Sequence, residues 1–181
     1  KKELDFAKGT FEILVTRNGE LSDAVVRLYK SGTKEVATQT RSYVKAVSNP
    51  VKFQVLPGLY DVEISSVEIE GKPIFRMEKQ ALAGGAVLPV SHNYKSGELK
   101  VGARQGSALV DVTVGIYPKK GGVSVAAGRT YQTANTNPKT FILEPGEYKV
   151  RLNAVKPKEL GKKTLTVTVP EKGEAAVSGE W

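Results

Sequence analysis

Apolar and polar residues alternate in short stretches along most of this chain. Between Thr10 and Thr16, Phe11, Ile13 and Val15 fall on one parity and Glu12, Leu14 and Thr16 on the other. Ala24 to Tyr29 sets Val26 and Leu28 on one face. Phe53 and Val55 alternate with Lys52 and Gln54, and Tyr60, Val62 and Ile64 with Asp61, Glu63 and Ser65. A period of two places each set on one face of a half-buried strand. Weaker patterns predict strands over Glu35 to Thr38 and Arg41 to Val47, and clearer ones over Ile74 to Lys79 and Ala86 to Ser91. Pro89 marks the last of these as an edge or bulged strand, because proline cannot donate to a ladder. Asn18-Gly19, Ser31-Gly32 and Glu70-Gly71-Lys72-Pro73 supply turns. Residues 1–8 read as a polar lead-in, and no window sustains a helical period.

The pattern then begins again. Asn49 to Val62 reads N-P-V-K-F-Q-V-L-P-G-L-Y-D-V, and 88 residues later Asn137 to Val150 reads N-P-K-T-F-I-L-E-P-G-E-Y-K-V, without a gap. Ten of the 22 positions from 41 to 62 are identical at that offset, among them Arg41/Arg129, Tyr43/Tyr131, Asn49/Asn137, Phe53/Phe141, Pro57/Pro145, Gly58/Gly146 and Tyr60/Tyr148. Gly9 matches Gly97, Tyr29 matches Tyr117, and after a one-residue drift Tyr94 meets Trp181. The second copy predicts strands over Gly97 to Ala103, Val110 to Tyr117, Val123 to Ala127, Arg129 to Ala134, Lys139 to Leu143, Glu147 to Val155, Lys163 to Val169 and Glu174 to Ser178. Pro57-Gly58 and Pro145-Gly146 read as type II turns, proline presetting φ and glycine supplying a positive φ next. Proline cannot open the primed turn of a tight hairpin, so a longer loop or a bulge is expected there. About seven short strands per copy predict an all-β chain of two tandem immunoglobulin- or prealbumin-like sandwiches, over 1–95 and 96–181.

Composition narrows the chemistry. The chain has no cysteine, so disulfides, thiolate metal sites and a cysteine nucleophile are excluded. A single histidine, His92, excludes sites that need two, and at a strand end it reads as solvated. Net charge is +8, spread over both halves rather than gathered on one face, so a nucleic-acid partner is not expected. No apolar run approaches the length that spans a membrane. The chain opens Lys1-Lys2-Glu3 without Met and reads as a mature or excised segment. Asp23, Asp61 and Asp111 lack the spacing of a calcium loop. Gly84-Gly85 and Gly121-Gly122 lack the strand and helix that frame a phosphate loop. No metal, cofactor or catalytic residue is nominated, and no enzyme activity is expected.

The repeated residues divide into two groups. Asn49, Phe53, Pro57, Gly58 and Tyr60, with Asn137, Phe141, Pro145, Gly146 and Tyr148, read as structural: turn formers, core rings and a tyrosine whose hydroxyl needs a local partner. Arg41 with Tyr43, and Arg129 with Tyr131, are two apart on predicted strands and share a face. Arg beside Tyr offers a charged stacking surface for a glycan or an acidic peptide, or else caps the rim of the sheet.

The P-G-x-Y-x-V strand pair resembles prealbumin-like sandwiches: the carboxypeptidase regulatory-like, Cna-B-type and PEGA-type modules of bacterial envelope and surface proteins. The fuller pattern, an opening Gly9-Thr10-Phe11 or Gly97-Glu98-Leu99 followed by N-P-x-x-F-x-[V/L]-x-P-G-x-Y-x-V, is similar to repeats beside von Willebrand A domains in bacterial extracytoplasmic proteins. The resemblance implies an extracytoplasmic, non-enzymatic module whose partner is a protein or a neighbouring domain of its own chain. A carbohydrate-binding module using the Arg–Tyr faces is the alternative, and a polyanion binder a third. The likeness does not extend to a Lys–Asn crosslink. Lys100 lies in the second copy's first strand, but Glu174 to Ser178 holds no Asn; Asn93 follows the first copy's last strand, but Thr10 to Thr16 holds no Lys.

Overall fold

A computed structural model describes residues 7–181. Most of the polar lead-in, residues 1–6, lies outside the described residues. The chain is divided into two compact units, one of residues up to 68 with 72–94, the other of 69–71 with 95–181.

The first unit holds β1 (Gly9–Arg17), β2 (Glu20–Leu21), β3 (Ala24–Lys30), β4 (Val36–Arg41), β5 (Val51–Val55), β6 (Gly58–Ser66), β7 (Ile74–Leu82) and β8 (Val87–Tyr94). One sheet is built around β1, which pairs antiparallel with β2 and β5 and parallel with β8. The other runs β4-β3-β6-β7. The second unit repeats this with β9 (Gly97–Gln105), β10 (Ala108–Leu109), β11 (Asp111–Pro118), β12 (Ala126–Arg129), β13 (Lys139–Leu143), β14 (Gly146–Lys156), β15 (Lys162–Val169) and β16 (Glu174–Glu180). Here β9 takes the place of β1, with β16 parallel beside it, and the facing sheet runs β12-β11-β14-β15. A turn of 3₁₀ helix at Lys158–Leu160 is the single helical element among the described residues, and none is long and apolar enough to cross a membrane.

The alternation read from the sequence becomes the inner lining of each sandwich. Phe11, Ile13 and Val15 of β1 and Val26 and Leu28 of β3 are fully buried, and so are Leu99, Val101 and Ala103 of β9. Phe53 and Phe141 pack inward from β5 and β13. Tyr60 lays its ring edge-on to Phe11 of the facing sheet at 5.7 Å, an arrangement that rings favour. Gly97 is fixed by crowding: a Cβ there would sit 2.0 Å from the Pro170 carbonyl oxygen, and one at Gly9 would sit 2.5 Å from that of Ala83. The strand count is eight per unit rather than seven, because β2 and β10 are two-residue pieces too short to show a period.

Three sequence readings are corrected. The Pro-Gly corners are not hairpins: β5 pairs with β1 while β6 pairs with β3 and β7, so each corner carries the chain from one sheet to the other. No type II turn is needed. Gly58 is absent from the positive-φ residues, and Gly146 is nearly extended at φ +157°. The strands expected over Arg41 to Val47 and Arg129 to Ala134 are irregular segments that begin as β4 and β12 end at Arg41 and Arg129. The strand expected over Val123 to Ala127 starts later, at Ala126. The reason for the early stop lies in the polar cluster that follows.

Candidate functional site

The same polar cluster closes one end of both sandwiches. At Asn49, held by a cis bond to Pro50, the side chain is buried and acts as a clamp. Its Oδ1 accepts the Val15 N–H at 3.0 Å, and its Nδ2 donates to the carbonyls of Val15 at 2.7 Å and Ser22 at 3.2 Å. Asn137, cis to Pro138, does the same for the N–H and carbonyl of Ala103 and for the carbonyl of Val110. One amide thereby meets a buried N–H beyond the end of the ladder and gives a second donor to two buried carbonyls.

Beside each clamp stands a hydroxyl. Ser42 Oγ accepts from the Ala24 N–H at 2.9 Å and donates to the Ser22 carbonyl at 2.8 Å. Thr130 Oγ1 accepts from the Val112 N–H and donates to the Val110 carbonyl. The hydroxyl takes over one bond of the next rung, the Ser42 and Thr130 N–H groups still donating to the Ala24 and Val112 carbonyls, and β4 and β12 end there. The preceding residue is an arginine. Arg41 donates through Nε and Nη2 to both carboxylate oxygens of Asp23, at 2.7 and 2.5 Å, and Arg129 does so to Asp111, at 2.7 Å each. This two-pronged geometry holds the pair in one arrangement. The Arg129 guanidinium, by hydrogen bonding and charge, holds the Asp111 carboxyl below its usual range.

Tyr43 and Tyr131 stand outermost. Neither is on a strand, and Tyr43 is at φ +55°. Even so, each Arg lies over the ring of its Tyr, at 5.2 Å in the first unit and 5.0 Å in the second. Each of these tyrosines is about half exposed. The cluster joins Arg41, Tyr43 and Asn49 in one unit and Arg129, Tyr131 and Asn137 in the other. Phe53, Tyr60, Phe141 and Tyr148 lie in the cores, and the Pro57-Gly58 and Pro145-Gly146 corners lie apart from it. Tyr60 and Tyr148 donate their hydroxyls to the carbonyls of Leu56 and Glu144, each at 2.8 Å, which pins the sheet-to-sheet corner. Two members escaped sequence reading: Asp23/Asp111 and the hydroxyl pair Ser42/Thr130. Both sit at the same 88-residue offset as the rest.

The isolated sequence candidates fall elsewhere. Lys100 pairs with Glu174 at 2.5 Å. Asn93 lies within β8, not after it, and its Oδ1 accepts from the Thr16 hydroxyl and the Gly19 N–H. His92 is not a solvated residue: its ring stacks on Phe75 at 4.0 Å and meets the edge of Tyr94 at 4.3 Å. Burial lowers its pKa from the ordinary 6.5. The unfolded chain therefore takes up this proton more readily than the folded one, and stability rises with pH across that interval. The contribution is complete above 6.5 and is lost as the pH falls from there through the lowered value. The first unit should melt lower at about pH 5 than at about pH 7.5, and His92→Phe should narrow that difference. Thermal melts followed by circular dichroism check this. An unchanged pH dependence in the variant would assign the effect to carboxylates instead.

Among the described residues, no three His, Cys, Asp or Glu side chains converge as a metal site. Nor, among the described residues, does any buried side-chain nitrogen or oxygen lack a hydrogen-bond partner.

No family profile matches the sequence. No curated protein matches it either. Solved structures do. The minor pilin GBS52 of Streptococcus agalactiae is similar over 96% of this chain and 94% of its own, at 14% identity and a TM-score of 0.50. The TIE protein of Bacillus anthracis matches at 18% identity and a TM-score of 0.42, over 97% of this chain. This chain spans 34% of that protein's length. A shaft pilin of Lactobacillus rhamnosus GG matches at 9% identity and a TM-score of 0.42, over 96% of this chain and 97% of its own. The likeness to the minor pilin is one of fold: an all-β sandwich architecture also found in bacterial pilins.

Proposed function

We propose that the chain is a non-enzymatic structural and protein-interaction segment of a larger bacterial surface or envelope protein. Its two sandwich modules, over 1–95 and 96–181, would space or present a neighbouring domain. The observation that carries this reading is the duplicated polar cluster. Its amides, hydroxyls and guanidinium–carboxylate pairs all face backbone or one another, in both units, at the same offset. Such groups fix a shape and leave nothing poised for a reacting substrate. The fold shared with a minor pilin supports a surface setting. The sequence pattern also supports a von Willebrand A domain as a neighbour in the full-length protein. The Arg–Tyr pairs are read as rim braces rather than sugar platforms, because each guanidinium is already held at two points by its aspartate.

Antibodies raised against the purified chain test the setting. They should label intact cells of the source bacterium as strongly as lysed ones. Labelling that requires lysis would overturn the surface assignment.

A further inference from the structure

The two units carry the same fold but guard their sheet edges differently. An edge strand exposes unpaired N–H and C=O groups, and proteins commonly blunt it with proline, charge or a bulge. In the first unit both adjoining edges are blunted. On β8 the Thr10 N–H donates to the Ala86 carbonyl and the Asn18 N–H to that of Tyr94. Val87, Pro89, Ser91 and Asn93 therefore face the open side, and Pro89 offers no N–H there. On β7 the register slips opposite Asp61, where Glu78 and Lys79 stand against one residue and Lys79 takes φ +55°. That is a bulge, flanked by the charges of Arg76, Glu78 and Lys79.

The second unit has neither device. β15 pairs with β14 without a register break and reads K-K-T-L-T-V-T-V, with no proline and no charge after Lys163. The Ala154 N–H donates to the Gly161 carbonyl, so the ladder bonds fall at Lys163, Leu165, Val167 and Val169. Lys162, Thr164, Thr166 and Thr168 aim their backbone groups at the open side.

We propose that β15 is a self-association edge, pairing antiparallel with β15 of a second copy of this chain. The strand is self-complementary in that sense. Centred on Thr166, the pairing sets Lys162 and Lys163 of each copy against the far end of the other, at Pro170 and Val169. That end carries Glu171, so the lysines approach an opposite charge and not each other. The threonines oppose threonines, a favourable cross-strand pair. The neighbouring edge, β16, fits this role poorly, because antiparallel self-pairing would bring Glu174 against Glu180. About eight residues a side is well short of the ~20–30 of a standard interface, so the association is weak, with a Kd between about 10 µM and about 1 mM.

Sedimentation of the purified two-unit chain from about 10 µM to about 1 mM reads this directly. The wild-type chain should shift from monomer to dimer with concentration. Thr166→Lys, which adds a charge to each side of the two-fold, should weaken the dimer by at least about tenfold. Gln80→Lys, on the blunted edge of the first unit, should leave it unchanged. A chain that stays monomeric throughout overturns the proposal, as does a dimer untouched by Thr166→Lys. Should that variant fail to fold, the gentler Thr166→Cys decides. The chain has no cysteine of its own, so mild oxidation should link this variant into dimers far faster than Gln80→Cys. Equal rates would sink the idea. The outcome is independent of where in the cell the protein resides.

Discussion

Asn137→Ala should destabilise the second unit by about 3 kcal/mol, although it removes only a few atoms. The loss comes from what remains. The Ala103 N–H, met at 3.1 Å, stays buried without its acceptor, while the carbonyls of Ala103 and Val110 each lose one of two donors and keep the Val110 N–H and the Thr130 hydroxyl. One buried orphan costs about 1–3 kcal/mol, and the loss of the two further bonds brings the total to the upper end of that range. For a unit of this size the melting temperature should fall by roughly 15 °C. Asn137→Asp is a sharper probe. It keeps the acceptor for the Ala103 N–H but turns a second oxygen toward two carbonyls, so at neutral pH it should fare no better than alanine. Acid should restore part of the loss, because the protonated acid regains one donor. Urea denaturation at two pH values measures both variants. A loss below about 1 kcal/mol for Asn137→Ala would mean that water fills the clamp.

Phe141→Ala should cost about 4 kcal/mol by a different route. The ring is 2% exposed and is the only phenylalanine in the second unit's core cluster. Its register partner on β9 is Leu99, whereas in the first unit Phe53 faces another ring, Phe11. Truncation therefore opens a void beside an aliphatic register partner rather than an aromatic one. Phe141→Leu, which keeps most of the volume, should recover at least half of the loss. Denaturation curves for the two variants decide this. Equal losses would show that the site rejects any change of shape, not that it needs filling.

These two residues show what the sequence revealed and what it hid. Phe141 was legible because strand alternation reports burial directly, and the repeat made its core role plain twice over. Asn137 was legible as a fixed point but not as a clamp, since its partners lie 34 and 27 residues away. Alternation gives the face on which a side chain lies, not the strand beside it. That is why the Pro-Gly corner looked like a hairpin turn and proved to be a crossing between sheets. The segment after Arg41 reads as a weak strand, with Arg41 and Tyr43 on one face. The Ser42 hydroxyl ends the ladder there, and no periodicity announces that. Asp23 and Asp111 were visible at the repeat offset, yet they pointed to Arg41 and Arg129 only once β3 and β11 were placed beside β4 and β12.

The parallel pairing of first and last strands sets how each unit answers a pull. In the first unit β1 and β8 lie side by side over eight paired positions, and in the second β9 and β16 over seven. Because the two strands run the same way, the chain enters each unit at one pole and leaves at the other. Tension between those points drags the strands lengthwise past each other, so the rungs of that ladder bear the load together instead of unzipping in turn. Resistance of this kind is governed by the rate of unfolding rather than by equilibrium stability.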